Sequence, residues 1–283
     1  MENLDHSTVD ILGFPVARLS IAQVIARITT AIEGRVDTRK SRSEKTLHIV
    51  TANAEILYNA YENPTLGELL QQADMITPDG NGTVQAAIKL GQPVPERVTG
   101  VDLMWQLLPK AEQQGWRIYL LGASEAVITE TVKVIKTDWP MVNLAGWHNG
   151  YFTAAERPAI IEDILKSGAD LIFVALGFPA QDQFILQMQQ QFAAGLAAEL
   201  TAEPATEHDE GTQKNNSKHL PAVAIGVGGS FDAISGNVKR APQWIQNLGL
   251  EWAYRFAQNP KRLKRATALP KFVLAVRRQV KGK

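Results

Sequence analysis

Short apolar, β-branched runs recur along the chain, each closing at Gly or Pro and giving way to helical spacing. Leu47-His-Ile-Val-Thr51 leads into a helical pattern from Ala54 to Tyr61. Arg117-Ile-Tyr-Leu-Leu-Gly122 is followed by Ser124, an N-cap residue, and a periodic segment through Ile135. Asp170-Leu-Ile-Phe-Val-Ala-Leu-Gly177 and Ala222-Val-Ala-Ile-Gly-Val227 complete the set. Strands alternating with helices predict a parallel sheet covered on both faces. The expected fold class is α/β: a Rossmann-like, mostly parallel sheet with helices on both faces and ligands at the carboxyl ends of its strands.

Two segments break this pattern. From about 196 to 220 the chain offers almost nothing to bury, and it reads as a disordered surface insertion. Its His208-Asp209-Glu210 reads as part of an acidic loop rather than a metal site. Beyond Gly236, Ala253 to Arg265 and Pro270 to Lys281 read as two short helices with interleaved apolar and basic residues. Trp252, Phe256 and Leu263 accompany the first; Phe272, Val273, Leu274 and Val276 belong to the second. Such helices suit an anionic membrane interface, whereas a core helix would carry fewer cations and an RNA-binding tail fewer aliphatics. The expected organisation is a catalytic domain over 1–237 and a basic amphipathic, membrane-docking appendage over 238–283.

Charge sharpens that division. The 283 residues carry 29 basic and 29 acidic side chains, yet residues 238–283 hold twelve Lys/Arg against the single acid Glu251. The basic end calls for an anionic partner. Cys is absent, which removes disulfides, thiolate metal sites and Cys nucleophiles. The opening Met-Glu-Asn-Leu-Asp-His is acidic and unlike a secretory signal. Apolar runs fall well short of the ~20 residues that a spanning helix needs. The chain reads as cytosolic in type, with its basic end directed to an anionic surface.

Four segments place polar residues at the ends of expected strands. They are Thr51-Ala-Asn53-Ala-Glu55, Thr77-Pro-Asp79-Gly80-Asn81-Gly82, Pro95-Glu-Arg97-Val-Thr-Gly100-Val-Asp102 and Gly177-Phe-Pro-Ala-Gln181-Asp182. Singly, each has an ordinary explanation: Asn53 or Asp79 as a helix cap, Arg97 in a surface ion pair. Together they mark the carboxyl rim where such sheets hold ligands. Gly226-Val-Gly228-Gly229 follows a strand, and its small residues let backbone N–H groups approach an oxyanion. Its glycine spacing does not match a dinucleotide fingerprint, and neither it nor Leu121-Gly122-Ala-Ser124 has the Lys-Ser/Thr of a P-loop. The chain has no Gly-x-Ser-x-Gly, His-Glu-x-x-His or Asp-x-Asp motif. The histidines are scattered, and His48, inside a strand pattern, reads as a packed side chain. Acid–base work therefore falls to a carboxylate, and Asp79 is the best placed.

In this order the segments resemble the WecG/TagA/CpsF family of bacterial glycosyltransferases, from about Ile11 to Arg278 with an interruption at 196–220. The most specific parts are Thr-Pro-Asp79-Gly, Glu-Arg97-Val-Thr-Gly-Val-Asp, Gly-Phe-Pro-Ala-Gln181-Asp and Gly-Val-Gly-Gly-Ser-Phe-Asp-Ala-Ile-Ser-Gly-Asn-Val-Lys-Arg-Ala-Pro. The last runs on into Leu-Gly-Leu-Glu251-Trp-Ala-Tyr-Arg255 and Asn-Pro-Lys-Arg262-Leu-Lys-Arg265. Ala180-Gln-Asp182 departs from the family's usual Lys-Gln-Glu. The resemblance implies transfer of N-acetylmannosamine, or a related sugar, from a UDP-sugar to an undecaprenyl-diphosphate-linked sugar, with inversion and without metal or cofactor. It implies Asp79 as base, Thr51 and Asn53 lining the pocket, and Arg97 and Gln181 as further active-site residues. Arg255, Arg262 and Arg265 match arginines of a C-terminal appendage that closes over the site at the membrane. The implied partners are the UDP-sugar, the polyprenyl-linked acceptor and an anionic membrane, with no nucleic acid and with a homo-oligomer allowed, and the implied location is cytoplasmic, peripheral on the inner face of the plasma membrane. A Rossmann-type oxidoreductase and a non-catalytic peripheral membrane protein are the alternatives.

Overall fold

Alternation within each strand sorts the core into two sheet faces. The computed structural model describes residues 7–36, 45–201, 218–238, 242 and 268–282. Among these, β1 (Thr8–Ile11), β2 (Phe14–Ala17) and α1 (Ile21–Val36) come first, then β3 (Leu47–Ala52), α2 (Ala54–Glu62) and α3 (Pro64–Gln71). The chain continues through β4 (Met75–Pro78), α4 (Asn81–Lys89), α5 (Gly100–Gln114), β5 (Arg117–Gly122), α6 (Glu125–Asp138) and β6 (Asn143–His148). It then forms α7 (Arg157–Ser167), β7 (Leu171–Ala175), α8 (Ala180–Thr201), β8 (Val223–Gly226), α9 (Ser230–Ile234) and α10 (Ala268–Lys281).

The eight strands form one sheet in the order β1-β2-β4-β3-β8-β7-β5-β6. Every pairing is parallel except β1 with β2. On one face Ile49, Met75, Phe173 and Ile225 pack with buried residues of α1, α5, α6 and α9. On the other face Val50 and Ile76 meet α2, α4 and α10, while Ile172, Val174 and Ala224 meet α7 and α8. This is the expected α/β class, with strands buried from both sides as a parallel sheet demands.

Near the middle of the sheet the helices leaving the adjacent strands β3 and β8 go to opposite faces. The chain leaves β3 into α2 on the second face, and it leaves β8 into α9 on the first. Such a divergence opens a crevice at the carboxyl ends of the two strands. Gly100, the first residue of α5, presses on the turn after β8: a Cβ there would lie 2.9 Å from Ser230 Oγ and 3.0 Å from Val227 Cα. Thr99 fixes that helix start, accepting from the Asp102 N–H at 3.1 Å and donating to Asp102 Oδ2 at 2.7 Å.

Two expectations change. Helix α8 runs on through Thr201, so the start of the irregular stretch moves past 196. Leu220 is buried and the His219 N–H donates to Leu165 O at 2.8 Å, while 202–217 lie outside the described residues. The helix expected over Pro270–Lys281 starts at Ala268, and its apolar side is not kept for a bilayer. Phe272, Ala275 and Val276 are buried in the core with α2 and α4. Gln279 reaches the β1–β2 turn, accepting from the Leu12 N–H at 3.0 Å and donating to Asp10 O at 3.1 Å. That turn needs support, because Leu12 sits at φ 56°, a region costly for a side chain with a Cβ. Cations did not preclude core packing because Lys271, Arg277, Arg278 and Lys281 all lie on the exposed side.

Phe272→Ala is expected to cost about 3–5 kcal/mol of unfolding free energy in urea, whereas Leu274→Ala, 49% exposed, stays within about 0.5 kcal/mol. Gly100→Ala, whose Cβ would crowd both Ser230 Oγ and Val227 Cα, is expected to cost about 1–3 kcal/mol in the same measurement.

Candidate active site

The crevice is assembled from the carboxyl ends of β3, β4, β7 and β8. At the end of β3, Thr51 is buried and its hydroxyl donates to Gly226 O at 2.8 Å, extending the β3–β8 pairing by one bond. Its oxygen keeps acceptor capacity toward the crevice. Asn53 follows as the N-cap of α2, its side-chain oxygen accepting from the Ile56 N–H at 3.0 Å. The ordinary role foreseen for Asn53 is thus filled, and its amide NH2 stays available as a donor.

A backbone bond ties Asp79 to the end of β3. Its N–H donates to Ala52 O at 3.0 Å, which draws the β4 end against the β3 end. Gly80 then turns at φ 85°, an angle that glycine adopts without strain, and its α-carbon faces the Asn53 side chain. Asp79 and Asn53 therefore flank one corner, with Asp79 half-buried. Arg97 arrives by a similar route. The Val98 N–H donates to Pro78 O at 2.9 Å and Thr77 Oγ1 donates to Val98 O at 3.2 Å, so this loop runs beside β4 like an extra strand. Arg97, half-buried, thereby comes alongside Asp79.

The opposite wall is Gln181, in the first turn of α8 and 1% exposed. Its Oε1 accepts from the Gly228 N–H at 3.1 Å, and its Nε2 lies over Gly226, where a Cβ would approach to 2.4 Å. Only glycine at 226 leaves room for this amide. The Gly228 N–H, expected to approach an oxyanion, is hydrogen-bonded to Gln181 Oε1 here, and Gly229 sits at the start of α9. With Oε1 engaged, Nε2 is the donor end of this amide.

A residue that sequence pattern alone does not single out stands further along the rim. The Gly150 N–H donates to Ala123 O at 2.7 Å, and Gly150 packs on Leu176 at the end of β7, folding this loop back over the sheet edge. Phe152 anchors it against Phe184 with ring centroids 5.9 Å apart. Tyr151 between them is 82% exposed, an aromatic face held on an anchored loop and suited to a planar ring. Its one sequence signal is the Asn149-Gly150 turn before it.

The structure thus brings Thr51, Asn53, Asp79, Arg97, Gln181, Gly228 and Gly229 to one rim. Arg255, Arg262 and Arg265 lie outside the described residues. Where the described chain resumes, Leu269 Cδ1 faces Gly82 in the first turn of α4, close to Asp79. Among the described residues, no three His, Asp or Glu side chains converge where they could share a metal ion.

Comparison with known proteins gives a consistent picture. The model of the glycosyl transferase WecG/TagA/CpsF family matches residues 9–202 and 206–283, so the break within the expected insertion is narrower than 196–220. A Bacillus spizizenii protein, N-acetylglucosaminyldiphosphoundecaprenol N-acetyl-beta-D-mannosaminyltransferase, is 37% identical over 247 residues, 87% of this chain and 85% of its own length. A protein of the same name from Bacillus subtilis is 35% identical over 237 residues, covering 83% and 80% of the two chains. With its sheet, rim residues and nearly full-length match, the chain belongs to the WecG/TagA/CpsF family of glycosyltransferases.

Proposed function

We propose that this chain transfers N-acetylmannosamine, or a closely related sugar, from a UDP-sugar to undecaprenyl-diphosphate-linked N-acetylglucosamine, with inversion and without a metal. The acceptor and sugar follow the names of the Bacillus relatives. The observation that carries the reading is the corner at the β3 and β4 ends: Asp79, tied through its N–H to Ala52 O at 3.0 Å, beside Asn53 and Arg97.

The chemistry asks one base to take the acceptor hydroxyl's proton as its oxygen bonds to the anomeric carbon. Attack comes from the face opposite the UDP, and the bond from the anomeric carbon to the β-phosphate oxygen breaks. Asp79 is the base in this assignment. Negative charge grows on the departing diphosphate, and Arg97, Gln181 Nε2 and the arginines Arg255, Arg262 and Arg265 are the groups assigned to stabilise it. Asn53 and Thr51 orient the sugar. Tyr151 offers its ring to the uracil.

A polyprenyl acceptor stays in the bilayer, so the protein must come to it. Among the described residues no helix is long and apolar enough to cross a membrane. Peripheral docking on the anionic inner leaflet uses the outer side of α10, where Lys271, Arg277, Arg278 and Lys281 surround the exposed Leu274. Each such cation contributes about 1 kcal/mol near an anionic surface.

UDP release from a panel of UDP-sugars, with a prenyl-diphosphate-linked N-acetylglucosamine acceptor and EDTA present, tests the catalytic reading. The expected result is acceptor-dependent release from one donor, reduced about 10²-fold or more in Asp79→Asn. Release from no donor, or an unaffected variant, would overturn it. Replacing Lys271, Arg277 and Arg278 together by Gln is expected to weaken sedimentation with anionic-lipid vesicles by roughly 10²-fold.

A further inference from the structure

Three residues before Thr51, on the other face of β3, a polar pair is sealed in the core. His48 Nε2 lies 3.0 Å from Asp182 Oδ1, and both side chains are fully buried. His48 Nδ1 and Asp182 Oδ2 have no hydrogen-bond partner. With Asp182 ionised, the imidazole must carry its proton on Nε2 to make the bond. Burying two ionisable groups and leaving one polar atom of each unsatisfied costs more than an apolar pair of the same volume would. One turn along α8, Phe184, Ile185 and Met188 fill the same layer with apolar groups. The expense is confined to the end of α8 nearest the rim.

The position of the pair gives it a use. Asp182 follows Gln181 directly, and the two side chains leave α8 in directions about 100° apart. Gln181 grips the turn after β8 through Gly228, while Asp182 grips β3 through His48. Ala224, the β8 residue in register with His48, is small enough for the imidazole–carboxylate contact to pass across that strand. His48 is itself fixed at the backbone: its N–H donates to Asp74 Oδ2 at 2.9 Å and its carbonyl accepts from the Asp74 N–H at 2.9 Å. The apolar anchors of α8 begin at Phe184, and ahead of them these two polar attachments, one to the turn after β8 and one to β3, define how the first turn is oriented.

We propose that the His48–Asp182 hydrogen bond is a positioning device that locks the first turn of α8 onto β3, holding the Gln181 amide on Gly228 and over Gly226. His48 and Asp182 are positioning residues and touch no substrate. The consequence for turnover rests on the glycosyltransferase reading above; the consequence for the Gln181–Gly228 bond does not.

The test compares His48→Gln, which puts an amide nitrogen near the position of Nε2, with His48→Asn, whose shorter amide stands where Nδ1 was. In protein labelled with [15N]glycine, the Gly228 amide in His48→Asn is expected to exchange about tenfold faster than in the wild type. His48→Gln is expected to stay within about threefold of wild type. In UDP release, His48→Asn should lower kcat/KM about tenfold, and that loss should vanish when Gln181 is already Ala. Unchanged Gly228 exchange in His48→Asn, equal damage from His48→Gln, or a His48→Asn penalty that persists with Gln181→Ala would overturn the proposal. If the wild type releases no UDP from any donor, the functional reading fails and the exchange measurement still decides the positioning pair. Should His48→Asn not fold, the isosteric Asp182→Asn, a weaker neutral acceptor, is read by the same exchange measurement.

Discussion

β8 ends on Gly226 and turns through Gly228 and Gly229, and the crevice depends on the space those glycines leave. A single carbon added at Gly226 would stand 2.4 Å from Gln181 Nε2 and 2.9 Å from its Cδ. On the opposite side of the same turn, Gly100 lets α5 approach until backbone and Ser230 Oγ are nearly in contact. Three elements therefore bring polar groups to one point: Thr51 from β3 onto Gly226 O, Gln181 from α8 onto the Gly228 N–H, and Ser230 from α9 onto Val227 O at 2.6 Å. The first two satisfy backbone groups that the end of a parallel strand would otherwise leave bare. Polar side chains are thus fixed at the rim by the same bonds that finish the sheet.

Helix α10 shows how a strongly basic segment can be both core and surface. Its buried side closes the second sheet face over α2 and α4, and Gln279 secures the β1–β2 turn. Its charged side is left outward, because long cationic side chains reach solvent while their helix packs. The division between a catalytic body and a docking tail is consequently less sharp in space than in charge. The segment that bears the excess of cations is anchored by Leu269 beside Gly82, next to the corner that holds Asp79. Lipid docking and the assigned base are in this way mechanically adjacent in the proposed enzyme.

Local pattern made the strands at 47–52, 117–122, 171–175 and 223–226 legible, with the helices after them, since burial on both faces and helical spacing are written within a few turns of chain. Rim residues were legible too, as loops that follow strands: Thr51, Asn53, Asp79, Arg97 and Gln181 all stand there. The end of α8 was misplaced because Leu196–Thr201 is helical while Ala197 and Ala198 are exposed, so no apolar stripe announces the element. Tyr151 was overlooked because only folding shows that its ring stays outside while Phe152 and Phe184 pack.

Sequence by itself determined the α/β class, the family and the rim on which the site is built, because periodicity and loop motifs are properties of neighbouring residues. Tertiary structure alone decided that Phe272 and Val276 belong to the core, that the Gly228 N–H is taken by Gln181, and that His48 meets Asp182 across 134 residues of chain. Those outcomes depend on which distant surfaces the sheet order brings together and on how little room Ala224 and Gly226 occupy between them. No local pattern encodes that spacing, since a buried His or a basic amphipathic helix has the same sequence whether its partner is solvent, lipid or another strand.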